Sequence, residues 1–260
     1  MTTIIYDGTF EGFLTVVFEV YEYKILQPKI RRGNVAEGSL FGDVHVVHTN
    51  NSKAKRVLAK LDQKILKTAM NQLYKSFLSE QIGIENSLLR YIQYVITGKP
   101  GAENDYGHPD VLLVQQTSRK VHREKHRMEA FIRFQLTKDQ LYYAIIQPDF
   151  NVLPLIANHF KERYADQRWL IYDCRRKYGL YYDLREVSEV MIHFNEGDSQ
   201  EENVYDEKES LYQELWKQYF DSVNIKARRN IKLHIQHVPK RYWKYLIEKQ
   251  PSEPGFGRID

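Results

Sequence analysis

The spacing of apolar residues shifts near residue 128, and that shift does most to limit what this chain can fold into. Before it, the long patterns repeat every three to four residues; after it, apolar and polar side chains alternate. The first period belongs to helices with one inward stripe, the second to half-buried strands. Phe10, Phe13, Leu14, Val17 and Tyr21 predict a helix of about four turns, opened by Asp7 as its cap after a short strand at residues 4–6. Gly33 and Gly38 bracket a turn, and residues 43–48 alternate like a strand. Residues 53–79 read as one long helix with Leu58, Leu61, Ile65, Ala69 and Leu73 inward, and residues 84–97 as another. Gly98 to Gly107 has no periodicity and is a loop or linker. Helical pattern resumes at Pro109, with Val111, Val114 and Val121 in register, and runs to about Arg127.

Beyond the shift, Ala130, Ile132 and Phe134 share one strand face, with Glu129, Phe131 and Arg133 on the other. Thr137 to Gln140 reads as a hairpin turn into a strand at 141–147, followed by a helix at 152–164 in which an Asp149 cap is expected. Strands are expected at 169–174, 180–183 and 187–194, then an acidic mobile loop at 195–206 and helical pieces at 207–221 and 225–236. The fold class this implies is α+β: an antiparallel sheet of about five strands with helices before and after it, plus a helical N-terminal insertion at about 51–98. A single domain over 1–250 with a flexible tail at 251–260 is expected. There is no G-x-G-x-x-G, P-loop or G-x-S-x-G signature, so nucleotide-dependent and α/β-hydrolase chemistry lack support.

The lone cysteine, Cys174, excludes an internal disulfide and any cysteine-built zinc or iron–sulfur site in this chain. It has Arg175 and Arg176 beside it, which favour a lowered thiol pKa, but no completed nucleophilic site, so it reads as a strand residue. With no secretory pattern at Met1–Tyr6 and no apolar run long enough for a bilayer, a cytoplasmic protein without a membrane partner is expected.

The formal charge of +4 averages over unequal segments. Residues 183–214 carry eleven acids against two bases, while 53–75 carry seven bases and one acid, 119–133 six and two, and 225–249 eight and one. The chain also holds nineteen tyrosines beside twelve phenylalanines and three tryptophans. Basic segments mixed with aromatics point to a polyanion, with nucleic acid first in line; the alternative is solvated helix faces over tyrosine-finished cores.

The densest run is Arg119 to Phe134. On a helix, His122 and His126 face the same way, beside a stripe of Arg119, Arg123 and Arg127 suited to phosphate oxygens. Phe131 and Arg133 extend it with a stacking ring and a further cation. The histidine pair also raises metal binding, but the order H-R-E-K-H matches no zinc signature; no metal and no cofactor are expected. A second run is Lys240, Arg241, Tyr242, Trp243 and Lys244 after Pro239, suited to base stacking beside phosphate neutralisation or to a C-terminal clasp with buried rings. A third joins Asp149 with His159 and Arg163, where Asp149 is either an acid–base group or the helix cap.

Five blocks, Tyr6–Phe13, His126–Phe134, Pro148–Asp149 with His159–Phe160 and Arg163–Tyr164, Trp169 with Ile171, and Pro239–Lys244, resemble in order and spacing a bacterial family of DNA metabolism or repair proteins carrying a domain of unknown function. The resemblance runs from residue 6 to residue 249. It implies companionship with a radical-SAM DNA-modification or repair protein, and kinship with domains fused to uracil-DNA-glycosylase-like modules. One cysteine cannot ligate a four-iron cluster, so the radical chemistry would lie in the partner chain. Residues 223–228 depart from the Phe-Asn-Pro-Ala-Arg of relatives by lacking the proline.

Three readings follow. In the first, the chain binds DNA for a partner enzyme: Arg119, Arg123, Arg127, Arg133, Lys240, Arg241 and Lys244 neutralise phosphates, and Phe131, Tyr242 and Trp243 stack on bases. In the second it is itself a nucleic-acid-processing enzyme, for base excision or hydrolysis, using His126, His122 and Asp149. In the third it is a protein-interaction adaptor without DNA binding.

Overall fold

A computed structural model describes residues 2–33, 43–191 and 238–249. Gly38, the acidic loop at 195–206, the helical pieces at 207–221 and 225–236, the departure at 223–228 and the tail at 251–260 lie outside the described residues. Contacts divide the chain into two compact units, Met1–Arg123 and Glu124–Asp260.

In the first unit, strand β1 (Thr3–Tyr6) is buried along its whole length and lies between β2 (Lys29–Arg32) and β3 (Val44–Val46), parallel to both. An unbroken apolar strand is what a sheet covered on both faces requires. Helix α1 (Phe10–Glu22) follows β1 and buries Phe13, Leu14, Val17 and Val20, whereas Tyr21 stays 44% exposed. Its cap is Thr9 rather than Asp7: the Thr9 hydroxyl accepts the Gly12 N–H at 2.9 Å, and Asp7 accepts from the Thr9 N–H and hydroxyl and from Thr49. Partial burial works to raise the Asp7 carboxyl, but the Thr49 and Thr9 hydrogen bonds prevail and hold it below the usual carboxylate range.

Residues 53–79 form two helices, α2 (Asn51–Asp62) and α3 (Lys67–Phe77), not one. The Lys64 and Ile65 amides both return to the Leu61 carbonyl, and Leu66 then adopts an extended conformation. Leu61, Ile65, Ala69 and Leu73 all remain buried across the break, so the apolar spacing conceals it. Helix α4 (Ile84–Thr97) is followed by the 98–107 loop, tied down by the Tyr94 hydroxyl on Asp105 at 2.5 Å and by Tyr94 stacked on His108. Tyr6 and Arg32 both reach the buried Glu85, and Phe10, Phe13, Tyr74 and Phe77 pack as one aromatic group beside them.

Helix α5 (Pro109–Phe131) crosses the unit boundary and outruns the expected end at Arg127. Buried Met128 and Ile132 keep the register of Val121, and Arg133 donates to the Ala130 and Ile132 carbonyls at the helix end. Alternation over so few residues is compatible with a helical stripe, so the strand expected at 129–134 is absent.

The second unit holds a sheet ordered β4 (Gln135–Leu136), β5 (Tyr142–Ile146), β6 (Trp169–Asp173), β7 (Tyr178–Tyr182) and β8 (Val187–Val190). The 137–140 turn joins β4 to β5 as expected, with Gln140 at φ 57°. The sheet is mixed, not antiparallel throughout: helix α6 (Leu153–Arg163) carries the chain across, so β6 runs parallel to β5. Phe134, Phe160, Tyr164, Trp169 and Tyr182 cluster in this unit. The mixed α+β class stands, and no described helix is long and apolar enough to cross a membrane.

Gly12 offers a direct test of the first unit. A Cβ there would stand 2.2 Å from an Asp7 carboxylate oxygen and 2.7 Å from the Thr49 hydroxyl. Gly12→Ala is expected to cost about 1–3 kcal/mol by overpacking, read as a lower urea midpoint; an unchanged midpoint would contradict the packing.

Candidate functional site

Two places gather the charged residues singled out above. The first is the N-terminal part of α5. Arg90 holds Asp110 in its first turn through two hydrogen bonds of 2.7 and 3.0 Å, and the Ser76 hydroxyl donates to the Val114 carbonyl. Val111, Val114, Thr117, Ser118 and Val121 face inward, which leaves residues 116, 119, 120 and 123 together on the outer face. Gln116, Arg119, Lys120, His122 and Arg123 line an open cleft of ≈ 460 Å³. Lys75 of α3 comes within 3.4 Å of the His122 ring. Among the described residues no carboxylate pairs with Arg119, Lys120 or Arg123. Three cations within five residues of a rigid helix repel one another, and an anionic ligand would relieve that repulsion.

The second place lies in the other unit, beyond the carboxyl end of β5, and centres on Glu124. This side chain is 1% exposed. It accepts the Tyr242 hydroxyl proton, the Arg241 guanidinium at 3.1 Å and the Asp149 N–H at 2.9 Å, with Arg127 at 3.6 Å. Tyr242 is 2% exposed; burial first, and the Glu124 carboxylate second, push its phenol above the usual range. Arg241 reaches a second carboxylate, Asp149, at 2.8 Å. The Asp149 carbonyl accepts from Arg175 and Arg176, and Arg176 is paired with the buried Asp173 at 2.8 Å.

Asp149 therefore does not cap α6, whose cap position is Val152 without a side-chain bond. Nor does it meet His159: His126 and His159 both approach Glu129, at 3.2 and 3.9 Å, and Lys125 pairs with the same carboxylate. Among the described residues no three His, Cys, Asp or Glu side chains are placed to hold a metal ion.

Tyr242 takes the clasp arrangement, with Phe131 against its ring at 5.7 Å. Trp243 is half-buried and donates to the Val238 carbonyl, while Lys244 and Tyr245 both donate to Gln147. Lys240 is exposed, and Arg133 serves the end of α5. Cys174 is exposed just past β6, and partial burial followed by the Asp173 carboxylate pushes its thiol up, opposite to the direction expected from Arg175 and Arg176.

Glu124, Glu129 and Asp173 are the site residues that sequence reasoning passed over. For Glu124 the signal was present: it falls three residues after Val121 and four before Met128, on the inward stripe of α5. An acid at that register must be buried with cations or donors around it. Tyr242→Phe removes one such donor and leaves Glu124 short of a partner; a loss of about 1–3 kcal/mol is expected in urea unfolding, and no loss would contradict the network.

No curated protein matches the chain. A family model does, over residues 83–248, from the glycine that opens α4 through the turn that holds Tyr242. The match takes in α5, the mixed sheet and both charged places, and the chain belongs to that family, described as DUF4130, a domain of unknown function.

Proposed function

We propose that this chain binds nucleic acid, DNA in the first place, and serves DNA repair or metabolism beside a radical-SAM enzyme. The observation that carries the reading is the α5 cleft, where Arg119, Lys120 and Arg123 stand exposed on one outer face with no described carboxylate to neutralise them. Arginine forks suit phosphate oxygens, and Gln116 and His122 add further hydrogen-bonding groups at the rim. Arg119 and Arg123 lie one helical turn apart, about 6 Å along the axis, so they can meet separate phosphates of one strand. The radical-SAM companion rests on the sequence resemblance, and the single cysteine agrees with an iron–sulfur cluster housed in another chain.

Contacts of this kind read the backbone and not the bases, so affinity should fall steeply with salt and vary little with sequence. Arg119→Gln and Arg123→Gln are each expected to weaken binding to single- or double-stranded DNA and to lower the slope of log affinity against log salt by about 1. A fluorescence-anisotropy titration at several salt concentrations measures both. Binding that ignores salt, or slopes that neither substitution changes, would overturn the reading.

A further inference from the structure

The turn after β5 carries a second arrangement of cations with a different character. Arg241 is 42% exposed on its side chain, yet its position is fixed from behind by the buried Glu124. The Asp149 backbone is fixed as well, its N–H on Glu124 and its carbonyl on Arg175 and Arg176. Arg127 approaches the same Glu124 oxygen that Arg241 holds. Into this frame projects the Asp149 carboxylate, 46% exposed and 2.8 Å from Arg241. Its described partner is Arg241 alone, so it can swing into water while the Asp149 N–H and carbonyl contacts stay in place.

We infer that Arg241, flanked by Arg127 and Arg175, is a seat for a phosphate group, and that the Asp149 carboxylate occupies it as a built-in competitor. An arginine held by a buried carboxylate is already ordered, so an incoming oxyanion meets a fork that loses little further freedom. Two oxygens of a phosphate match the outer edge of one guanidinium, and the neighbouring cations offset the charge left by Glu124 and Asp149. The seat is distinct from the α5 cleft and does not depend on the nucleic-acid reading. Its ligand is defined by the phosphate group alone, whether free or at the end of a strand.

A competitor that fills a site lowers the apparent affinity by the fraction of time it is seated. A half-exposed ion pair of this kind is worth about a fivefold factor, so Asp149→Asn should bind inorganic phosphate about fivefold more tightly than the unaltered chain. The substitution keeps the Asp149 N–H and carbonyl contacts, so the frame stays intact. Arg241→Gln should abolish phosphate binding in either background. Asp166→Asn, which removes an exposed carboxylate elsewhere in the same unit, controls for the change in overall charge.

Titration of inorganic phosphate at constant ionic strength, followed through the arginine side-chain N–H resonances of the full chain, reads all five proteins, the Asp149→Asn/Arg241→Gln double variant included. A single cooperative melting transition in each confirms that it is folded. Tightening in Asp149→Asn alone, lost with Arg241→Gln, supports the seat. Equal tightening in Asp166→Asn, no tightening at all, or binding that survives Arg241→Gln would overturn it. A short oligonucleotide with and without a 5′-phosphate separates the sources. Preference for the phosphorylated strand over inorganic phosphate supports a strand end as the ligand; equal binding of the two supports free phosphate. Discrimination by Asp149→Asn that is the same for the unphosphorylated strand would also overturn the seat.

Discussion

The buried carboxylate of Glu124 is the constraint on which the second unit's charged architecture rests. A carboxylate removed from water is costly unless each lone pair meets a donor, and here a phenol, a guanidinium and a backbone N–H meet it. Those donors come from two separate stretches of the chain, so one side chain of α5 ties the turn beyond β5 and the turn at 240–245 to its own helix. Arg241 and Asp149 acquire their places from that fixation. Removing the carboxylate would leave the guanidinium without its anchor and the Asp149 amide without an acceptor.

Helix α5 shows how one basic run can serve two physical ends. Arg119, Lys120 and Arg123 face a cleft with no described acid, whereas Arg127 and Lys125 answer Glu124 and Glu129. Counted along the sequence these cations are equivalent; counted by their neighbours they are not. Paired cations stabilise the fold they belong to, and unpaired ones offer their charge to a ligand. The nucleic-acid reading is therefore placed on the first group and the phosphate seat on Arg241, where an internal carboxylate holds the charge in reserve.

Much of the fold was legible where a local rule decides it. The inward stripes of α1, α3 and α4, the loop between Gly98 and Gly107 and the 137–140 turn follow from spacing and turn chemistry, and they appear at or close to the expected residues. What failed depended on partners far along the chain. The direction of β6 is set by the α6 crossover, not by the residues of β6 itself. The break between α2 and α3 leaves the apolar register intact, so spacing cannot reveal it. The end of α5 was missed because Ala130, Ile132 and Phe134 satisfy both periods. Of the expected site residues, Arg119 and Arg123 share the cleft with His122, while Tyr242 is a core ring and Asp149 an ion-pair partner. Their roles differ because burial and pairing, not residue type, decide what a tyrosine or an aspartate can touch.

We propose that a nucleic-acid strand lies along the outer face of α5, over Arg119, Lys120 and Arg123. The most direct measurement is photocrosslinking of the full chain to a DNA strand carrying a photoreactive base, followed by mapping of the attached peptide. Crosslinks concentrated on residues 116–123 are the predicted result. Crosslinks that avoid this segment and fall on the three-stranded sheet of β1, β2 and β3 would contradict it.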